Sequence, residues 1–147
     1  MFHPDMIVIH HSATRDSGTV SWDAIRQYHM TKMNPPMRDI GYHAGTELVG
    51  KIFVGQLGRA LDTPGAHTKH HNAHSLGFCF VGDYDKAAPD ETMLVLAAQF
   101  VLAPWCRKFA IPVDRIRPHS EFAAKTCPGL LFPVEHLRDL VRAELGT

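Results

Sequence analysis

A chain of 147 residues fits one domain and leaves no room for a second of ordinary size. Fifteen basic side chains balance fifteen acidic ones and 45% of the residues are hydrophobic. That is the composition of an ordinary soluble globular protein, and it gives no electrostatic case for nucleic acid or an anionic membrane. Three widely spaced cysteines (Cys79, Cys106, Cys127) without a CxxC pair make a poor disulfide framework and suit a reducing compartment. The opening residues MFHPDMIVIHHSAT lack the basic and long apolar regions of a secretory leader, and no stretch approaches the ~20 apolar residues of a membrane span. Synthesis in the cytoplasm without a signal peptide, and no membrane insertion, are therefore expected.

Met6–His10 is a short apolar, β-branched run and predicts a buried strand. Ser12–Val20, rich in Ser, Asp, Gly and Thr, predicts a loop. Ser21 is placed to cap a helix over Trp22–Lys32, in which Ile25, Tyr28 and His29 share a face. Asn34-Pro35-Pro36 ends it. Tyr42–Glu47 and Lys51–Val54 flank a glycine turn and predict a hairpin. Ser75–Val81 predicts a second buried strand. Pro89-Asp90-Glu91 opens a long helix to Phe109 with an acidic first turn, and Pro104 should kink or break it. Arg115–Arg117 reads as a short strand. Pro133 at a first helical position and Gly146 bracket a last helix with Val134, Leu137, Leu140 and Val141 on one face. Strands alternate with helices, so the expected class is α/β (α+β): a mixed central sheet flanked by about three helices, one domain over residues 1–147.

Eleven histidines are an excess for a chain of this size, and histidine is the commonest metal ligand. Metal-capable residues concentrate in His10-His11-Ser12-Ala13-Thr14, Ile40-Gly41-Tyr42-His43 and the stretch from Pro118-His119 to Cys127-Pro128. A catalytic zinc site uses three protein ligands and leaves the fourth position for water, whose pKa it lowers toward ~7. The eight-residue interval from His119 to Cys127 suits a loop folding back on itself, with a third ligand from far upstream. The competing reading makes Cys127 a small buried hydrophobe and His119 a turn residue. Alternation cannot choose between His10 and His11 on a strand buried on both faces.

The strings VIHHSAT (8–14), IGYHA (40–44), GAHTKHHNAHSLGFCFVGD (65–83) and RPHSEFAAKTCPG (117–129) resemble, in order and separation, those of the type-2 N-acetylmuramoyl-L-alanine amidases. That family includes small phage amidases and the animal peptidoglycan recognition proteins, and the resemblance spans nearly the whole chain. It implies one Zn2+ per chain held by His10, His119 and Cys127, with Tyr42 and Lys125 as catalytic residues. It also implies substrate contacts at His67 and Asn72, peptidoglycan as the partner, and cleavage of the amide between N-acetylmuramic acid and L-alanine. Binding-only members typically depart from the ligand set, often at the cysteine, and this chain keeps it.

The expected setting is a phage or prophage endolysin that reaches the wall after release, acting as a monomer. A non-catalytic peptidoglycan-binding module, a cytoplasmic wall-recycling amidase and an intracellular regulatory role are the competing readings. Glu121 is the nearest carboxylate to a ligand, and a loop-capping role is preferred for it over that of a general base. His29 is read as a satisfied core group, and His70, His71 and His74 as exposed. Ser12 and Thr14 are expected to brace the loop behind His10. Cys79 and Cys106 are expected to be inert, with Trp22 and Trp105 in or beside the core.

Overall fold

All six residues of β1 (Met6–His11) are buried, which requires strand neighbours on both edges and cover on both faces. A computed structural model, which describes residues 1–14 and 21–146, supplies both. The remaining strands are β2 (Ala44–Val49), β3 (Ile52–Leu57), β4 (Ser75–Phe80) and β5 (Ile116–Pro118), in the spatial order β3-β2-β4-β1-β5. β1 runs parallel to both β4 and β5, β2 runs parallel to β4, and β3 returns antiparallel to β2. The sheet is therefore mixed, and β1 lies inside it.

The β1–β4 register pairs Ile7 with Leu76, Ile9 with Phe78 and His10 with Cys79. Alternation sends Ile7, Ile9, Leu76, Phe78 and Phe80 to one face, where they meet Met93, Leu94, Leu102, Leu137 and Val141 of the helices. Fully burying such a side chain contributes about 1.5–3 kcal/mol. On the opposite face Cys79 joins Trp22, Ile40 and Val81 in a smaller cluster, and His10 emerges on that side. Gly45 on β2 makes room for this cluster, since a Cβ there would come within 2.2 Å of the Trp22 ring and 2.5 Å of the Cys79 carbonyl.

Helices on both faces of the sheet complete the domain. α1 (Trp22–Thr31) is capped by Ser21, whose side chain accepts from the Ala24 N–H. It does not bury the expected Ile25–Tyr28–His29 face: Trp22 is its one buried residue and Tyr28 is 56% exposed. α2 (Glu91–Ala97) begins at Asp90, which accepts from the Thr92 N–H. It passes through a π-helical turn (Ala98–Leu102) into α3 (Ala103–Phe109). Pro104 therefore does not break the helix. The Ala103 N–H reaches back to the Ala98 carbonyl, and this wider turn accommodates a residue that has no N–H of its own. α4 (Val134–Leu145) starts directly after Pro133, which makes no side-chain cap bond, and is closed by Gly146 at φ 75, the left-handed conformation that glycine adopts without steric cost.

The hairpin turns at Gly50 as expected, but its strands run Ala44–Val49 and Ile52–Leu57, so Tyr42 and His43 precede the first of them. β5 likewise begins one residue later, at Ile116. Of the loop expected over Ser12–Val20, the part from residue 15 onward lies outside the described residues.

Candidate functional site

The carboxyl ends of β1 and β4, the segment before β2 and the loop after β5 converge on a cleft of about 500 Å³. His10, His11, Tyr42, His67, His119, Lys125 and Cys127 all line it. Asn72 does not. A second groove of about 540 Å³ shares Ser12, His29 and Tyr42 with the first and continues along α1 past Ile25 and Tyr28. His29, read as a core group, thus stands on a cleft wall.

At the cleft floor one ligand atom from each of His10, His119 and Cys127 lies within 4.8 Å of the others. His10 turns Nδ1 toward Cys127 Sγ at 3.8 Å. His11, the alternative in the sequence, is committed elsewhere: its Nδ1 accepts from the Tyr84 N–H at 3.1 Å. Its backbone N–H instead serves the site, donating to Cys127 Sγ at 3.3 Å. His119 Nδ1 is buried and has no hydrogen-bond partner among the described residues. A buried polar atom left alone is costly, and a cation is one partner that this donor set fits.

Protonation agrees with a metal. Burial above all, and then the Lys125 and His11 charges, lower the His119 imidazole to about 4. Burial, followed by His67, His119, Lys125 and His11, lowers His10 well below the ordinary range. Both rings are neutral at pH 7, the form that ligates a metal. Burial pushes the Cys127 thiol up to about 11, opposed by the His11 N–H and Lys125. Only a cation would make it a thiolate at neutral pH.

Tyr42 lies with its ring centroid 5.1 Å from that of His10 and 5.6 Å from that of His29. Burial first, and then Cys79 and Cys127, raise its phenol well above the usual range, so it remains a donor. Arg59 anchors the segment that carries it. Its guanidinium donates to the Ile40, Pro64 and Asp39 carbonyls and its backbone N–H to the Tyr42 carbonyl. His29 Nδ1 accepts from the Gly41 N–H at 2.9 Å, which leaves Nε2 as the protonated nitrogen of a half-buried ring on the cleft wall. Ser12 Oγ accepts from the Gly82 N–H and from the Thr14 hydroxyl, so Ser12 ties the end of β1 to the segment after β4 and Thr14 bonds Ser12 instead of the loop backbone. Glu121 is exposed and ion-paired with Arg117 at 3.0 Å, consistent with a loop-holding role. Cys79 and Cys106 are buried, as are Trp22 and Trp105.

Asp85, Arg59 and the His11 amide are contributions that no local motif discloses. Asp85 accepts from the Thr126 hydroxyl at 2.9 Å and the Leu130 N–H at 2.8 Å, so it ties down the loop that carries Lys125 and Cys127. These bonds, Leu130 first and then Thr126, lower its carboxyl below the ordinary value. Its stabilising contribution is therefore present above the unfolded carboxylate pKa of ~3.9 and is lost as pH falls through the lower folded value. Asp85→Ala should raise amide exchange at Leu130 by about tenfold, read by hydrogen–deuterium NMR. Unchanged exchange there would remove Asp85 from this role.

Comparison with known proteins places this geometry. The family model described as N-acetylmuramoyl-L-alanine amidase matches residues 2–130. The endolysin of Escherichia phage T7 is 31% identical over 128 residues, covering 84% of this chain and 80% of that protein. A peptidoglycan-recognition protein of Drosophila melanogaster is 28% identical over 127 residues, covering 85% of this chain and 68% of that one. Among solved structures, the N-acetylmuramoyl-L-alanine amidase LysC from Clostridium intestinale URNW has the same fold, with a TM-score of 0.73 at 22% identity over 99% of this chain and 87% of that chain. The peptidoglycan recognition protein LCa–LCx ectodomain complex, solved with tracheal cytotoxin bound, gives 0.76 at 25% identity over 90% and 80%. The chain belongs to the N-acetylmuramoyl-L-alanine amidase family.

Proposed function

We propose that this chain is a zinc-dependent hydrolase that cuts the amide between N-acetylmuramic acid and L-alanine in peptidoglycan. It would act as a monomeric phage or prophage endolysin, with residues 1–147 as one catalytic domain. The observation that carries this is the convergence of His10, His119 and Cys127, with His119 Nδ1 unpartnered, at the floor of a cleft lined by Tyr42 and Lys125. The kept ligand set favours an enzyme over a binding module. The phage endolysin likeness supports the wall-directed setting, and among the described residues no helix is long and apolar enough to cross a membrane.

His10, His119 and Cys127 would hold the metal. When bound, zinc supplies Lewis acidity to the scissile carbonyl and to a water at neutral pH. Lys125 reaches the same cleft, where its ammonium stabilises the negative charge that builds on the carbonyl oxygen. Tyr42 keeps its proton and donates to that oxygen or steadies the attacking water. The sugar-side acyl group leaves as a carboxylate and L-alanine as a free amine.

Metal analysis combined with a murein digest tests the reading. About one zinc per chain is expected, with activity lost to a chelator and restored by added zinc, and new amino-terminal L-alanine among the products. A protein without zinc or hydrolysis that still sediments with murein would be a recognition module instead.

A further inference from the structure

The His67 loop was expected to touch substrate, yet its polar atoms point inward. His67 Nε2 lies 3.4 Å from the Ser75 carbonyl, which can only accept, so Nε2 carries the ring proton and Nδ1 is the acceptor. Nδ1 lies 3.0 Å from His10 Nε2. His10 must then be protonated at Nε2, which leaves a lone pair on Nδ1, the nitrogen turned toward Cys127 Sγ. The buried Thr68 hydroxyl closes the triangle, 2.8 Å from His67 Nδ1 and 3.3 Å from His10 Nε2, and can accept from the second while donating to the first.

The surroundings are built to hold this ring. Asn72 Oδ1 accepts from the backbone N–H groups of both His67 and Thr68 at 2.9 Å, folding the loop over. Gly77 on β4 leaves the ring its place, because a Cβ there would come within 2.6 Å of it. Both ring nitrogens of His67 are engaged within the protein, so neither is left for a ligand.

We infer that His67, backed by Thr68 and Asn72, is a positioning residue that fixes the tautomer and orientation of His10 for metal binding. The inference rests on the zinc site proposed above. An imidazole ligand held by a hydrogen bond at its far nitrogen binds metal more tightly, and loss of such a partner typically costs ~10–100-fold in affinity. The sequence string Gly-Ala-His-Thr with Asn72, Ser75 and Gly77 then reads as one device that serves a ligand on another strand.

The test measures zinc dissociation constants by competition with a fluorescent chelator. His67→Phe fills the space without an acceptor and should weaken zinc ~10–100-fold, whereas His67→Asn, which can present an oxygen near the Nδ1 position, should recover most of that loss. Gly77→Ala should weaken zinc in the wild-type background and add little to His67→Ala. Nitrogen-15 NMR of the unmutated protein gives a readout that needs no variant, with His10 expected as the Nε2–H tautomer. Unchanged zinc affinity in His67→Phe, or a Nδ1–H tautomer at His10, overturns the inference while leaving the metal site standing. A wild-type chain that takes up no zinc overturns both.

Discussion

Cys127→Ser should abolish zinc retention and hydrolysis together while the protein still folds. Serine is close to isosteric and its oxygen can accept the His11 N–H that Cys127 Sγ now receives, so the loop keeps its anchor. It lacks the thiolate, and affinity should fall by more than the ~10–100-fold that removal of an outer partner costs. The proton balance supplies a second measurement. With the thiol at about 11 and His119 at about 4, the metal-free site at pH 7 holds one proton that zinc must displace and no imidazolium. Loading below pH 7 should release about one proton, and apparent affinity should rise about tenfold per pH unit from about 4 toward ~7, where a zinc-bound water begins to release a second. Calorimetry of the unmutated protein in two buffers of different ionisation enthalpy counts that proton. A serine variant that retains zinc at wild-type affinity would remove Cys127 from the ligand set.

Lys125→Ala should separate chemistry from metal binding. The ammonium lines the cleft but does not belong to the three-atom ligand cluster, so zinc content should stay near one per chain. Its positive charge bears on His10, His119 and Cys127 alike, so in the proposed reaction it would face the carbonyl oxygen as that becomes negative. Removing one preorganised group of this kind costs about 10²–10³-fold in turnover. Release of amino-terminal L-alanine from murein, together with zinc analysis of the same sample, reads both quantities. Near-normal turnover on intact peptidoglycan would end the catalytic assignment of Lys125.

Most of the scaffold was legible because it is local. The β-branched run at Met6, the serine cap of α1, the acidic start of α2 and the glycine at the end of α4 each act within a few residues. What escaped depends on distant partners. Whether Tyr28 and His29 face a core or a cleft depends on what covers α1, and its amphipathic spacing is the same in either case. Pro104 reads as a breaker until a π turn upstream absorbs it. The choice of His10 over His11 becomes physical once the sheet faces are known: Ile7 and Ile9 point to the helices and His10 lies opposite them. The proposed ligand set comes from family resemblance, whereas the inward-facing bonds of His67, the Arg59 anchor and the Asp85 tether join residues far apart in the chain. No periodicity records them.

His10 and Cys127, separated by 117 positions, meet at 3.8 Å because β1 lies between β4 and β5. A growing polypeptide therefore presents at most two of the three donors until the loop after β5 has been synthesised and folded back. β1 itself stays unpaired on both edges until β4 and then β5 arrive. Assembly of the proposed centre thus waits on the loop after β5, and any fragment that stops before Cys127 is denied a finished site.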